Sequence, residues 1–64
     1  MRHTELWARL DHHLGPAYSR TWADQQVIGE LGHRTAAEAL RAGVPPKEVW
    51  AAVWEDLELP MSDR

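Results

Sequence analysis

Sixty-four residues without a single cysteine suffice for one small domain, taken as residues 1–64, and exclude a disulfide framework, a thiolate metal site and cysteine-nucleophile chemistry. Ten acidic against seven basic residues leave a formal charge of −3, which speaks against a domain that grips nucleic acid through a clustered positive face. At this length only about 60% of the unfolded chain's surface can be buried. The four tryptophans, Trp7, Trp22, Trp50 and Trp54, are therefore expected to supply much of the core.

Thr4 is expected to cap a first helix in which Leu6, Leu10 and Leu14 recur at i, i+4 and i+8 with Trp7 beside them. Gly15-Pro16 then ends it. The opposite face, with Glu5, Ala8 and His12, flanked by Arg9 and Asp11, is expected to be solvated; His13 lies nearer the apolar edge. Residues 17–20 read as a connector whose conformation the pattern does not determine. Thr21 with Asp24 gives a weak capping signal for a second helix that carries Trp22, Ala23, Val27, Ile28 and Leu31 and closes at Gly32. Gly29 inside it costs roughly 1 kcal/mol relative to alanine, so either a neighbour approaches closely there or the last turn is irregular.

The strongest local signals follow. Thr35 with Glu38 forms a T-x-x-E capping box that opens a short alanine-rich helix over residues 36–42, with Leu40 its only large apolar side chain. Gly43 supplies the left-handed residue that stops it. Pro45 and Pro46 occupy the N-cap and first position of a fourth helix, which places Val44 and Val49 as a hydrophobic staple. Val49, Trp50, Val53, Trp54 and Leu57 give that helix a broad apolar arc. Glu55, Asp56 and Glu58 crowd its C-terminal end, where the helix dipole disfavours them, and Pro60 forbids continuation, so fraying is expected from there. No stretch alternates with period two and no Asn-Gly or Asp-Gly turn occurs, so strands are not expected. The predicted fold is all-α, a compact bundle of four short helices with a C-terminal helical hairpin.

Few constellations could carry chemistry. His12 and His13, with His3 and Asp11 near by, invite a metal reading, but adjacent helical residues point about 100° apart and no two histidines have the i, i+4 spacing of a helical pair. Ser19 and Ser62 lie in no G-x-S-x-G elbow, and no glycine-rich phosphate loop is present. The carboxylates Glu55, Asp56 and Glu58 have nothing to hold them at a fraying end. Two helices joined by a glycine turn outline a helix-turn-helix, yet the second opens Pro46-Lys47-Glu48, a single lysine beside an acid; Arg34, Arg41 and Lys47 are the candidate nucleic-acid contacts on that reading. Trp, Tyr and Arg dominate binding hot spots, and Tyr18, Arg20 and Trp22 bring all three types within five residues, which makes them the candidate partner surface. The longest apolar run, residues 49–54, is far short of the roughly twenty residues that span a bilayer, and no apolar segment of a signal peptide follows the start.

The chain resembles a small actinobacterial family, domain of unknown function 3046, over nearly its whole length. The resemblance rests on Met1-Arg2, Thr4-Glu5-x-Trp7, Gly15-x-Ala17-Tyr18, Ala23-Asp24 before Val27, and Glu30-Leu31-Gly32. Its most specific part is Arg34-Thr35, Glu38-Ala39-Leu40, Ala42-Gly43-Val44, Pro46-Lys47, Val49-Trp50 and Leu59-Pro60. The family pattern usually has an acidic residue where this chain has Pro45, which removes a side-chain cap and keeps the staple. It has an apolar residue where this chain has His3, which argues against a functional His3. The resemblance implies no activity and no catalytic residues; the placement of some members beside the recombinase RecA and its regulator RecX implies a role near DNA repair. The expectation is a non-enzymatic cytoplasmic domain, without cofactor, metal or membrane segment, that acts through an unidentified protein partner or as a homodimer. The alternative is a weak nucleic-acid binder or DNA-repair-associated regulator.

Overall fold

A computed structural model describes residues 1–64. The chain runs through α1 (His3–Leu14), α2 (Pro16–Gln25), β1 (Val27–Ile28), a 3-10 turn (Gly29–Leu31), β2 (Arg34–Thr35), α3 (Ala36–Arg41), α4 (Pro46–Asp56) and a second 3-10 turn (Met61–Asp63). Four helices are present and the fold is mostly helical, as expected, with a small two-stranded sheet that was not expected. β1 and β2 pair antiparallel, Val27 opposite Thr35 and Ile28 opposite Arg34. Val27 faces out and Ile28 is buried, an alternation too short to register as a period in sequence.

The first half departs most from expectation. α1 starts at His3 with Arg2 as N-cap, so Thr4 lies inside the first turn and caps nothing. Leu6 and Leu10 are fully buried, and Trp7 and Leu14 pack half-buried at the margin of the core. Gly15, at φ 86, ends α1 and N-caps α2, with Pro16 in the first position of α2. Residues 17–20, read as a connector, are therefore helical, and Thr21 sits in the middle of α2. A proline at the first position loses no hydrogen bond because that amide has no intrahelical acceptor, so Gly15-Pro16 is a start signal as much as a stop. α2 ends at Gln25, well before Gly32, because the β-branched pair Val27 and Ile28 goes into the small sheet. Gly29 has no neighbour within 4 Å of where a Cβ would stand; it lies in the 3-10 turn, the irregular alternative.

The second half follows its local signals closely. The Thr35 N–H donates to Glu38 Oε1 at 2.8 Å and the Glu38 N–H to Thr35 Oγ1 at 3.1 Å, a reciprocal capping box. α3 closes one residue earlier than expected, with Ala42 as C-cap and Gly43 at φ 93. The Gly43 N–H donates to Leu40 O and the Val44 N–H to Ala39 O, the paired bonds of a Schellman end. Pro45 and Pro46 take the N-cap and first position of α4, and the Glu48 and Val49 N–H groups donate to Pro45 O. Val49 is fully buried and Val44 packs on the core.

α4 ends in a second Schellman pair, Glu58 N–H to Glu55 O and Leu59 N–H to Trp54 O, with Glu58 in the left-handed position at φ 52 where glycine is usual. Where fraying is expected from Pro60, the chain turns back. The Trp54 indole N–H donates to Pro60 O at 2.9 Å and the Trp50 indole N–H to Asp63 O at 3.1 Å. The core combines Leu6 and Leu10 from α1, Trp22 and Ala23 from α2, Ile28, Ala36 and Ala39 from α3, and Val49, Trp50, Ala52 and Val53 from α4. The contribution of α3 is alanine, whose small side chain lets the other helices close over it. Of the four tryptophans, Trp22 and Trp50 are core, and Trp7 and Trp54 are half-exposed.

Candidate functional site

Because residues 17–20 are helical, the proposed trio does not form one surface. Tyr18 and Arg20 stand two positions apart on α2, which turns their side chains about 200° from each other. Ser19 between them is fully buried and its hydroxyl donates to the Asp11 carboxylate of α1. Trp22 is only 7% exposed and belongs to the core, while Tyr18 is 53% exposed on one flank of α2. Arg20 lies on the other flank.

Arg20 meets a residue that sequence placed elsewhere. Its guanidinium carbon stands 3.9 Å from the centroid of the Trp7 ring, and Nη1 is 3.7 Å from Asp11 Oδ1. Trp7 sits about 100° around α1 from Leu6, at the edge of the buried stripe, and this leaves one ring face for the guanidinium. The pair forms one wall of a cleft of about 390 Å³ between α1, α2 and α3. Leu40 and Ala37 from α3 supply apolar surface, Arg20 and Arg41 supply positive charge, and Asp24 is the only acid in the lining. On a chain of net charge −3 this is a locally basic surface with one tryptophan in it. The Trp7 offset was legible in the helical periodicity; its pairing with Arg20 crosses two helices and left no local trace.

Of Arg34, Arg41 and Lys47, the first two share a neighbour and the third lies elsewhere. Arg34 lies on β2 and Arg41 at the end of α3, and both cations act on Glu38. The Thr35 backbone N–H and then the Thr35 side chain hold the Glu38 carboxyl below the usual glutamate range against the opposing effect of desolvation, with smaller help from Arg41 and Arg34. Lys47 opens α4 and borders a different cleft with Glu5, Arg9 and Trp50. The α1 face expected to be solvated is exposed at Glu5, Ala8 and His12, and packing is confined to its margins. His13 stacks on Trp50 at 6.1 Å and approaches Asp63 at 3.6 Å, and Arg9 lies over Trp50 at 5.6 Å while donating to Arg64 O. His12 meets His13 edge to face, and no three histidine, aspartate or glutamate side chains converge as a metal set.

The sequence profile of the family described as protein of unknown function DUF3046 matches residues 1–62. The chain belongs to that family. No curated protein and no solved structure matches it. This DUF3046 chain has no helix long and apolar enough to cross a membrane.

Proposed function

We propose that the chain is a non-enzymatic protein-interaction domain whose α1–α2–α3 cleft takes an acidic segment carrying one apolar side chain. The observation that carries this reading is the Arg20 guanidinium laid over Trp7 at 3.9 Å. Arginine and tryptophan are the residue types most enriched among binding hot spots, and an arginine already oriented by a ring and a carboxylate avoids much of the roughly 0.5–1.5 kcal/mol otherwise lost on immobilising such a side chain. Leu40 and Trp7 offer contact for an apolar anchor, and Arg20 and Arg41 offer charge for flanking carboxylates. For the nucleic-acid alternative, Arg34 and Arg41 share Glu38 as a neighbour and Lys47 borders a different cleft, an arrangement that lends no comparable support.

Selection from a displayed random-peptide library tests the reading. The expected result is enrichment of peptides in which Asp or Glu flanks a Leu, Phe or Trp, with the mobility of a labelled DNA duplex unchanged by the protein at low salt. Absence of any enriched class, or a salt-sensitive duplex shift that Arg34→Ala and Lys47→Ala abolish, would replace it with the nucleic-acid reading.

A further inference from the structure

We infer that a second groove, on the side of α4 facing the Gly29–Leu31 turn, is a docking surface for a basic amphipathic segment of a protein partner. The groove is about 400 Å³ and its apolar lining is Leu31, Val44, Ala51, Ala52 and Trp54. Three of these are half-buried members of the outer core, so they are held by the fold whether or not anything covers them. Glu30, Glu48 and Glu55 also line it, all exposed. None of the three is paired: the ion pair between fixed charges is Arg20 with Asp11, and His13 approaches Asp63.

The arrangement along α4 states what would fit. Glu48, Ala51, Ala52 and Glu55 stand at i, i+3, i+4 and i+7, one face of the helix. Exposed Ala51 between two carboxylates, with Ala52 buried beside it, makes a shallow strip on which another helix can lie close, with an acid at each end to meet a lysine or arginine of the incoming segment. Three uncompensated carboxylates beside apolar surface select a cation-bearing partner and repel an acidic one. A separate observation points to the same chemistry. The guanidinium of the chain's own Arg64 lines this groove and lies 5.4 Å from the Trp54 ring. The groove thus already accommodates an arginine head group against its tryptophan, without an ion pair to any of the three glutamates. Its charge is opposite to that of the α1–α2–α3 cleft, and the two surfaces select different segments.

Titration of isotope-labelled protein, followed through its backbone amide resonances, tests this independently of the proposed function. The probes are a short amphipathic lysine–leucine peptide, its glutamate–leucine counterpart and an oligolysine of equal length without leucine. The lysine–leucine peptide is expected to shift the amides of Glu30, Leu31, Val44, Ala51 and Glu55 and the Trp54 indole, while the glutamate–leucine peptide leaves them in place. Glu55→Lys should weaken the lysine–leucine peptide at least about tenfold, and because it puts a base at a helix C-terminus it should not weaken the fold. Glu55→Gln should fall between. Equal binding of oligolysine, unchanged affinity in Glu55→Lys, or shifts confined to another face would each overturn the inference. Failure of the acidic segment at the other cleft would leave it standing.

Discussion

Two turns of this small molecule solve the same problem by different means. Between α3 and α4 the chain turns on local backbone chemistry: a left-handed Gly43, two Schellman hydrogen bonds and a proline at the first position of the next helix. Between α1 and α2 a single glycine serves both helices, and the tie across the junction comes from side chains. Asp11 accepts from Ser19 and pairs with Arg20, which in turn covers Trp7. The first turn is self-sufficient, whereas the second depends on polar groups that also border the α1–α2–α3 cleft. Stability of the α3–α4 turn is therefore separable from binding at the α1–α2–α3 cleft, and at the α1–α2 junction the two are linked.

Substitutions can probe that contrast. The largest effect is expected at Trp50, which is 2% exposed and where both halves meet, since Arg9 and His13 of α1 pack on its ring. Trp50→Ala should cost about 3–5 kcal/mol out of a total of roughly 3–10 kcal/mol for a chain of this size, so a thermal melt should show little or no cooperative unfolding. Next comes Ser19→Ala, which deprives half-buried Asp11 of a donor and should cost about 1–3 kcal/mol. Thr35→Ala removes the capping box for about 1 kcal/mol. In denaturant melts the Ser19 variant should fall further than the Thr35 variant; the reverse order would undo the contrast between a side-chain tie across two helices and a local cap within the second half.

Smaller effects sharpen it. Glu58 holds a left-handed position that glycine fills without a Cβ clash, so Glu58→Gly should stabilise by roughly 0.5–1 kcal/mol and raise the midpoint of unfolding by a few degrees. A loss of stability would mean that the side chain does more than cap. The smallest effect is a pH dependence. The Glu38 carboxyl is held below its ordinary range in the folded state, so the stability it contributes is present above the unfolded glutamate pKa and is lost as pH falls through the folded value. Glu38→Gln should reduce the acid-side loss of stability in a melt series, and an unchanged acid limb would remove that role.

The contrast also explains what could be read from sequence. Thr35, Glu38, Gly43, Pro45 and Pro46 act on groups within a few residues, so their spacing announces the turn they make. Ser19, Arg20, Asp11 and Trp7 act across helices, and their spacing announces nothing. The reading of Gly15-Pro16 only as a stop hid the first half of α2 and made a surface of Tyr18, Arg20 and Trp22 look plausible. Once the helix is continuous, its rotation of about 100° per residue separates Tyr18 from Arg20 and sends Trp22 inward. The β1–β2 ladder was invisible because two residues cannot establish an alternation. The acidic groove escaped notice because Glu30 and Leu31 meet Glu48 and Glu55 only after folding.

The most direct measurement is the calorimetric affinity of a selected acidic peptide for the native chain, Arg20→Ala and Tyr18→Ala. If the α1–α2–α3 cleft is the binding surface, Arg20→Ala loses at least about tenfold and Tyr18→Ala, on the opposite flank of α2, binds as the native chain does. Equal affinity for all three, or a loss confined to Tyr18→Ala, would contradict it.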